Sequence, residues 1–165
     1  MNPKQFHDHF AQMALNVKTA QKDAIRRAGH EVARLFRQNF VEQGFFGEKW
    51  QDVKRRELRT VNYRTKGGKT KQKSATRAKG ADGKRGILFG RGRNLSRSIK
   101  VKIEGNKAII YSDLPYSAVH NKGLRAGRGK GFIMPKRQFM GDHPRVHEKA
   151  KEIINQEINK ALKLK

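Results

Sequence analysis

The chain has 165 residues, enough for one hydrophobic core but too few for two substantial domains. It contains no cysteine, which excludes disulfides, thiolate nucleophiles and zinc sites with cysteine ligands. Lys and Arg number 39 against 14 Asp and Glu, and the formal net charge of +25 indicates polyanionic partners: nucleic acid, acidic protein or anionic lipid. No apolar run approaches the roughly 20 residues that cross a bilayer, so we expect no membrane partner.

The N-terminal segment is predicted to form a long amphipathic helix. Asn2 is placed to cap it, Pro3 suits its first position, and Gln5 completes a capping box. Apolar residues then recur every three or four positions from Phe6 to about Phe40. Because sustained heptads are lacking, we expect this stripe to pack on the domain's own sheet rather than on a membrane or in a coiled coil.

An aromatic corner follows this helix. Gly44 and Gly47 flank two phenylalanines, and Trp50 comes three residues later. The glycines predict the end of the helix. Exposed aromatic rings can stack on nucleic acid bases, but we interpret this cluster as a small core beneath a turn.

The excess positive charge is concentrated in the middle of the chain. Between Val53 and Lys102 there are 18 Lys and Arg residues but only two acidic residues. From Arg64 to Gly86 the only apolar side chains are three alanines, which cannot build a core. We therefore predict a single domain of residues 1–165 with a long, flexible basic loop or arm inserted at about 64–93.

A second basic loop, rich in glycine, spans residues 125–131 and is predicted to be another exposed tip. It lacks the spacing of a phosphate-binding P-loop. We expect the arm and this second loop to supply contacts to partner proteins or DNA. The candidate contact residues are Arg64, Lys66, Lys69, Lys71, Lys73, Arg77, Lys79, Lys84, Arg85, Arg91, Arg93, Arg125, Arg128 and Lys130.

A hairpin is predicted after the arm. Ile99, Val101 and Ile103 alternate with polar residues, which indicates a half-buried strand. Gly105–Asn106 then turns the chain into a second apolar run at 107–111.

Three further elements are predicted in the rest of the chain. They are a short helical segment within 112–123, a short strand at 132–135 and an amphipathic C-terminal helix that begins near Asp142 and Pro144. Together with the N-terminal helix and the hairpin, they predict an α+β fold in which two helices cover a small antiparallel sheet.

No combination of residues indicates catalysis. His120–Asn121 is typical of metal-dependent nucleases that place these residues on a hairpin and helix, but no second ligand lies nearby in the sequence. His143 and His147 have the spacing of two metal ligands on a helix, yet a third ligand is missing, so we predict capping or surface roles. We therefore expect a non-enzymatic protein without a metal or cofactor.

Three segments occur in a recognisable order: Gly92–Ile99, then Tyr116–Gly123 after the hairpin, then Ile133–Gly141. In sequence they read GRNLSRSI, YSAVHNKG and IMPKRQFMG. This arrangement resembles the virion morphogenesis, or tail-completion, family of tailed bacteriophages, including Mu-like phages. Met140 stands where that family usually has leucine. We expect most of these positions to maintain the fold, with the following as core: Leu95, Ile99, Tyr116, Val119, Ile133, Phe139 and Met140.

The resemblance implies an α+β structural protein at the neck, or head–tail junction, which acts in tail completion as a ring of identical subunits. It implies other neck, connector or tail proteins as partners, with the DNA that passes the ring as a further candidate. The implied location is the virion, with assembly in the host cytoplasm. Two alternatives remain open: a basic nucleic-acid-binding protein that uses the central arm, and a small metal-dependent nuclease.

Overall fold

The computed structural model of the chain describes residues 2–76, 85–90 and 94–162. Its helices, apart from a 3₁₀ turn at Lys54–Arg56, are α1 (Pro3–Glu42), α2 (Asn94–Arg97), α3 (Ser117–Lys122) and α4 (Pro144–Leu162). Its strands are β1 (Gly44–Phe45), β2 (Glu48–Lys49), β3 (Leu58–Arg64), β4 (Thr70–Thr76), β5 (Ile99–Glu104), β6 (Lys107–Ser112), β7 (Arg125–Ala126) and β8 (Phe132–Ile133). This order confirms the α+β class, with a long N-terminal helix and a C-terminal helix.

The strands pair only with their sequence neighbours. Among the described residues they form four separate antiparallel ladders, β1–β2, β3–β4, β5–β6 and β7–β8, instead of the one small sheet expected. The predicted hairpin is confirmed as β5–β6, with Gly105 in the left-handed conformation at its turn (φ 54°). Two of the ladders are only two residue pairs long, so they fasten loops rather than extend a common sheet.

The capping box at the start of α1 is present as predicted. The Asn2 side chain accepts a hydrogen bond from the Gln5 backbone N–H at 2.8 Å, and the Asn2 N–H donates to the Gln5 side chain at 3.0 Å. The helix ends at Glu42, where Gln43 turns the chain in the left-handed conformation (φ 53°). Local signals therefore determined both ends of this helix to within a few residues.

The second half of α1 packs on α4 and on the β5–β6 hairpin. Gly29 is buried at the crossing with the hairpin: a Cβ atom placed there would lie 2.7 Å from the Cβ of Ala108 and 3.0 Å from a methyl of Val101. Arg37 adds a hydrogen bond from its side chain to the Ile99 carbonyl at 2.5 Å. The glycine therefore allows the close approach of helix and hairpin.

The first half of α1 does not pack as predicted. Phe6 is 56% exposed and Phe10 is 53% exposed, although both continue the stripe that is buried at Ala24 and Ala28. Their rings contact each other, with centroids 4.6 Å apart. The expectation that the whole stripe packs on the domain's own sheet is wrong for these turns, because both rings are more than half exposed to solvent.

The core is built around two phenylalanine rings. Phe40 and Phe139 are fully buried with ring centroids 4.8 Å apart, and the Trp50 ring lies 5.6 Å from Phe40. The aromatic corner is thus confirmed as core, and Leu95 and Ile99 join it. Val119 and Met140 are half-buried.

Two residues expected in the core lie at the surface instead. Tyr116 is 41% exposed, because it stands at the cap of the short helix α3. Ile133 is 70% exposed, because the two-residue ladder that carries it leaves both Phe132 and Ile133 in solvent.

Candidate interaction surfaces

The His120–Asn121 segment holds the fold together through Asn121. The Asn121 side-chain oxygen accepts hydrogen bonds from the N–H groups of Phe139 and Met140 at 2.8 and 3.0 Å, and its NH₂ donates to the Met140 carbonyl at 2.9 Å. From the other side, the buried Asn39 donates to the Phe139 carbonyl at 3.1 Å. The side chains of Asn39 and Asn121 therefore supply the hydrogen bonds that the backbone of Phe139 and Met140 would form with a neighbouring strand in a β-sheet.

The remaining histidine pair has the structural role expected of it. His143 accepts a hydrogen bond from the Arg145 N–H at 3.2 Å and stacks on the Phe46 ring, with centroids 4.3 Å apart. His147 pairs with Asp142. Within 2–76, 85–90 and 94–162, no group of three or more His, Cys, Asp or Glu side chains is placed to hold a metal ion.

The basic arm begins as an ordered ladder rather than as a loop. Strands β3 and β4 pair over seven residues each, from Leu58 opposite Thr76 to Arg64 opposite Thr70. Thr65 closes the turn through its N–H and hydroxyl, which both donate to the Lys69 carbonyl at 2.9 and 3.0 Å. The predicted flexible loop or arm at about 64–93 therefore contains strand β4 and the turn before it, which the sequence did not predict. Strand β4 has no large apolar side chain, so the alternation that marks a half-buried strand is missing.

The arm carries its charge away from the core. Six cations and no acid lie between Leu58 and Thr76. No hydrogen bond between described residues ties this hairpin to the rest of the chain. At about 3.4 Å per residue, seven residues give an arm roughly 24 Å long.

The two faces of the arm differ in chemistry, because cross-strand partners share a face. One face carries three cations among its six residues, and on it the Lys73 ammonium lies 5.2 Å from the centre of the Tyr63 ring. Its residues are Arg59, Val61, Tyr63, Lys71, Lys73 and Ala75. The other face is mainly uncharged and carries hydroxyls and amides, with Arg64 near the turn. Its central residues are Thr60, Asn62, Gln72 and Ser74.

The second basic tip is the turn between β7 and β8. Arg125 lies on β7 and its guanidinium donates to the Lys130 carbonyl across the turn. Arg128 and Lys130 are exposed in the turn itself. These three predicted contact residues therefore lie together, on a tip separate in sequence from the arm.

The other predicted contact residues divide into three groups. The arm hairpin carries Arg64, Lys66, Lys69, Lys71 and Lys73, all of them exposed. Arg85 lies in the described segment 85–90 and lines a cleft. The predicted contacts outside the described residues are Arg77, Lys79, Lys84, Arg91 and Arg93.

That cleft was not predicted from the sequence. It has a volume of about 420 Å³ and lies between the 3₁₀ turn, the segment 85–90, α3 and the segment before Phe139. Arg55, Arg85 and Arg137 line it together with His120 and Tyr116. Arg85 was one of the predicted contact residues, and Arg137 belongs to a segment that carries the family resemblance, but neither signal indicated a cleft.

Arg137 and Arg55 are fixed in the cleft by backbone carbonyls. Arg137 is 6% exposed and donates to the carbonyls of Gln51 and Asp52 at 3.1 and 3.3 Å. Arg55 donates from one terminal nitrogen to the carbonyls of Arg85 and Gly86 at 3.1 and 2.6 Å. These contacts join three chain segments but neutralise no charge.

The pKa directions agree with this arrangement. Burial lowers the pKa of Arg55, and the neighbouring charges of Arg56 and Arg85 lower it further. Burial, followed by the charge of Arg55, lowers the pKa of Arg137. The pKa of His120 is lowered by burial and then by Arg137. The cleft is therefore a place where positive charge is crowded and partly desolvated.

Among the helices of the described residues, none combines the length and the apolarity needed to cross a bilayer.

The described residues thus form an α+β core in which motif residues connect chain segments, and this core presents two cationic tips. The phage virion morphogenesis family matches residues 1–159, and the chain belongs to that family. Its role is accordingly structural, in the assembly of phage particles.

The chain is similar to a curated relative, "Mu-like prophage FluMu G protein 2" of Haemophilus influenzae. The two proteins are 40% identical over 47 residues, which make up 28% of this chain. The match spans only 34% of that relative's length. No solved structure matches the chain.

Proposed function

We propose that this chain is a non-enzymatic structural protein of the phage neck, or head–tail junction, which acts in tail completion as a ring of identical subunits. One observation supports the proposal. Among the described residues, the family segments pack in the core, whereas the two cationic tips, the β3–β4 arm and the β7–β8 turn, make no contribution to that core. Asn121 and Phe139 are engaged in fold-maintaining contacts, whereas the arm and the β7–β8 turn point their cations into solvent.

The tips supply the contacts to other components of the particle. Acidic surfaces of connector or tail proteins complement a hairpin with six cations, and the DNA that passes the ring is a second polyanion within reach. A ring multiplies such contacts, because each subunit presents its own arm.

Ring formation also needs contacts between copies, and the exposed start of α1 supports them. Between Asn2 and Val17 there are one Lys and one Asp, so this segment is neutral in a chain of net charge +25. Identical, strongly basic subunits repel each other everywhere except at such a segment. Phe6 and Phe10 give it an apolar stripe for a second copy to cover.

The neck assignment is tested by imaging phage particles assembled without this protein. We expect unjoined heads and tails in negative stain, and normally joined particles would refute the assignment. Complementation then tests the arm. Replacing Arg64, Lys66, Lys71 and Lys73 by Gln should lower the yield of joined particles, whereas the same charge loss at Lys18, Lys22, Arg145 and Lys151 should not.

The contact between copies is tested by sedimentation of purified protein. Phe6→Asp with Phe10→Asp should give a smaller species than the unaltered chain, because charge replaces the apolar stripe. Ala11→Asp with Gln12→Asp introduces the same charge at neighbouring exposed positions and should leave the sedimentation coefficient unchanged. An equal effect of both pairs would show that charge, not this stripe, controls the association.

A second candidate function is nucleic acid binding through the arm, favoured by its shape. A two-stranded ribbon fits the B-DNA major groove, which is about 12 Å wide, and the uncharged face of this ribbon offers the hydroxyls and amides that contact base edges. Retention of DNA in a gel should then fall steeply with salt. Removing four arm cations should reduce the slope of log affinity against log salt by up to about 3.6. No retention at low salt would remove this candidate.

A further inference from the structure

The cleft between Arg55 and Arg137 is independent of the arm, of the contact between copies and of the neck location. We propose that it is a binding site for a carboxylate carried next to an apolar side chain, as presented by an acidic peptide segment of a partner protein.

The first argument is crowded positive charge. Arg55 and Arg137 both line the cleft, and no Asp or Glu is among its described lining residues. Asp52 lies outside this lining, and its carboxylate accepts from the Val53 N–H at 2.8 Å and from Arg56 at 3.2 Å. The charge of Asp52 acts on Arg55 and Arg137 and opposes the lowering of their pKa values, but burial remains the larger effect on both. A carboxylate between Arg55 and Arg137 would relieve the repulsion between them.

The second argument is donor capacity. Each guanidinium has five N–H donors, and the backbone carbonyls engage only some of them on Arg55 and Arg137. Neither side chain forms a hydrogen bond through Nη1 to another described residue. Two buried nitrogens at this site, Nε of Arg55 and Nδ1 of His120, also have no partner among the described residues. The carbonyls fix the positions of the two side chains, so a ligand does not have to order them.

The third argument is the lining between the charges. Leu88, Phe89 and Leu95 contribute an apolar surface to the same cleft. A carboxylate on a peptide brings an adjacent apolar side chain that this surface can cover. Duplex DNA is a convex rod whose phosphates carry no apolar group, and the exposed arm suits it better than a concave site of about 420 Å³.

The test is a titration of the isotope-labelled full chain, followed by amide chemical shifts. The probe is the peptide acetyl-Gly-Glu-Phe-Gly-amide, and its matched control has Gln in place of Glu. We expect the Glu peptide to shift amide signals of Asn94, Tyr116 and His120. We also expect it to bind about tenfold more tightly than the Gln peptide, which lacks the charge-assisted hydrogen bonds. Equal binding of the two peptides, or shifts confined to the arm, would overturn the proposal.

Variants then assign the effect to the guanidinium groups. Arg55→Gln should abolish the preference for the Glu peptide, and Arg55→Lys should retain part of it, because charge remains without the planar fork. Lys54→Gln is the matched control: this lysine is exposed on the same 3₁₀ turn and does not line the cleft, so the preference should persist. If Arg55→Gln does not fold, the proposal is tested by the chemical shifts of the unaltered chain and by the peptide preference of the Arg55→Lys variant.

Two further probes separate the sources of negative charge. Inorganic phosphate and a tetrathymidylate oligonucleotide are titrated under the same conditions. If either shifts the cleft signals as strongly as the Glu peptide, the site binds phosphate and the carboxylate proposal is wrong. Shifts from the oligonucleotide at the arm alone would agree with the proposal.

Discussion

Asn121→Ala is the substitution that most directly tests how the family segments maintain this fold. The Asn121 side chain makes three hydrogen bonds to the backbone of Phe139 and Met140. Each bond contributes about 1 kcal/mol net, and the N–H groups left behind lose their acceptor, so we expect the free energy of unfolding to fall by about 3 kcal/mol. For a chain of this size, that loss corresponds to a melting temperature lower by about 6–12 °C.

The assay is thermal and urea unfolding by far-UV circular dichroism at one protein concentration, since association would otherwise change the apparent stability. Asn155→Ala removes the same side chain from an exposed position on α4 and should change the unfolding free energy by less than about 0.5 kcal/mol. A loss below about 1 kcal/mol for Asn121→Ala, with an unchanged urea dependence, would show that the 137–141 segment does not depend on this amide.

Three further predictions concern the core and the cleft. Gly29→Val should cost about 2 kcal/mol in unfolding free energy, because its Cβ would lie 2.7 Å from Ala108, and unaltered stability would contradict that close approach. Phe40→Ala should cost about 4 kcal/mol in the same assay, since the ring is fully buried; a small change would mean that the core collapses around the gap. Burial lowers the pKa of His120, so its neutral form stabilises the fold above the ordinary pKa of about 6.5, and that stability is lost as the pH falls. His120→Gln should therefore reduce the drop in melting temperature between about pH 7.5 and about pH 5.5, and an unchanged drop would assign it to other groups.

Most of the fold followed from local patterns in the sequence. The capping box predicted the start of α1, and the alternation around Gly105–Asn106 predicted the β5–β6 hairpin, because caps, turns and periodicity act between residues close in the chain. The β3–β4 hairpin of the arm was not predicted, because it lacks such a local pattern. Neither face of its strands is buried, so backbone pairing is present without an alternating pattern of burial.

The candidate sites were predictable only in part. The concentration of cations indicated the arm and the second tip from composition alone, and both lie exposed. The cleft could not be predicted, because Arg55 and Arg137 are far apart in the chain. No motif or spacing in the sequence indicates that these two residues are neighbours. What brings them together is the packing of the 3₁₀ turn against the segment before Phe139.

The amino-acid sequence by itself determined the class of fold, the family and where the positive charge is concentrated, since each depends on residue type and spacing along the chain. The tertiary structure decided how particular residues are used. Gly29 allows α1 and the β5–β6 hairpin to cross closely, and Asn121, which the sequence suggested as half of a nuclease pair, forms hydrogen bonds to the backbone of Phe139 and Met140. Phe6 and Phe10 continue a buried stripe yet remain exposed. The physical reason is the same in each case: the role of a side chain depends on neighbours that lie far from it in the sequence, and only the packed chain supplies them.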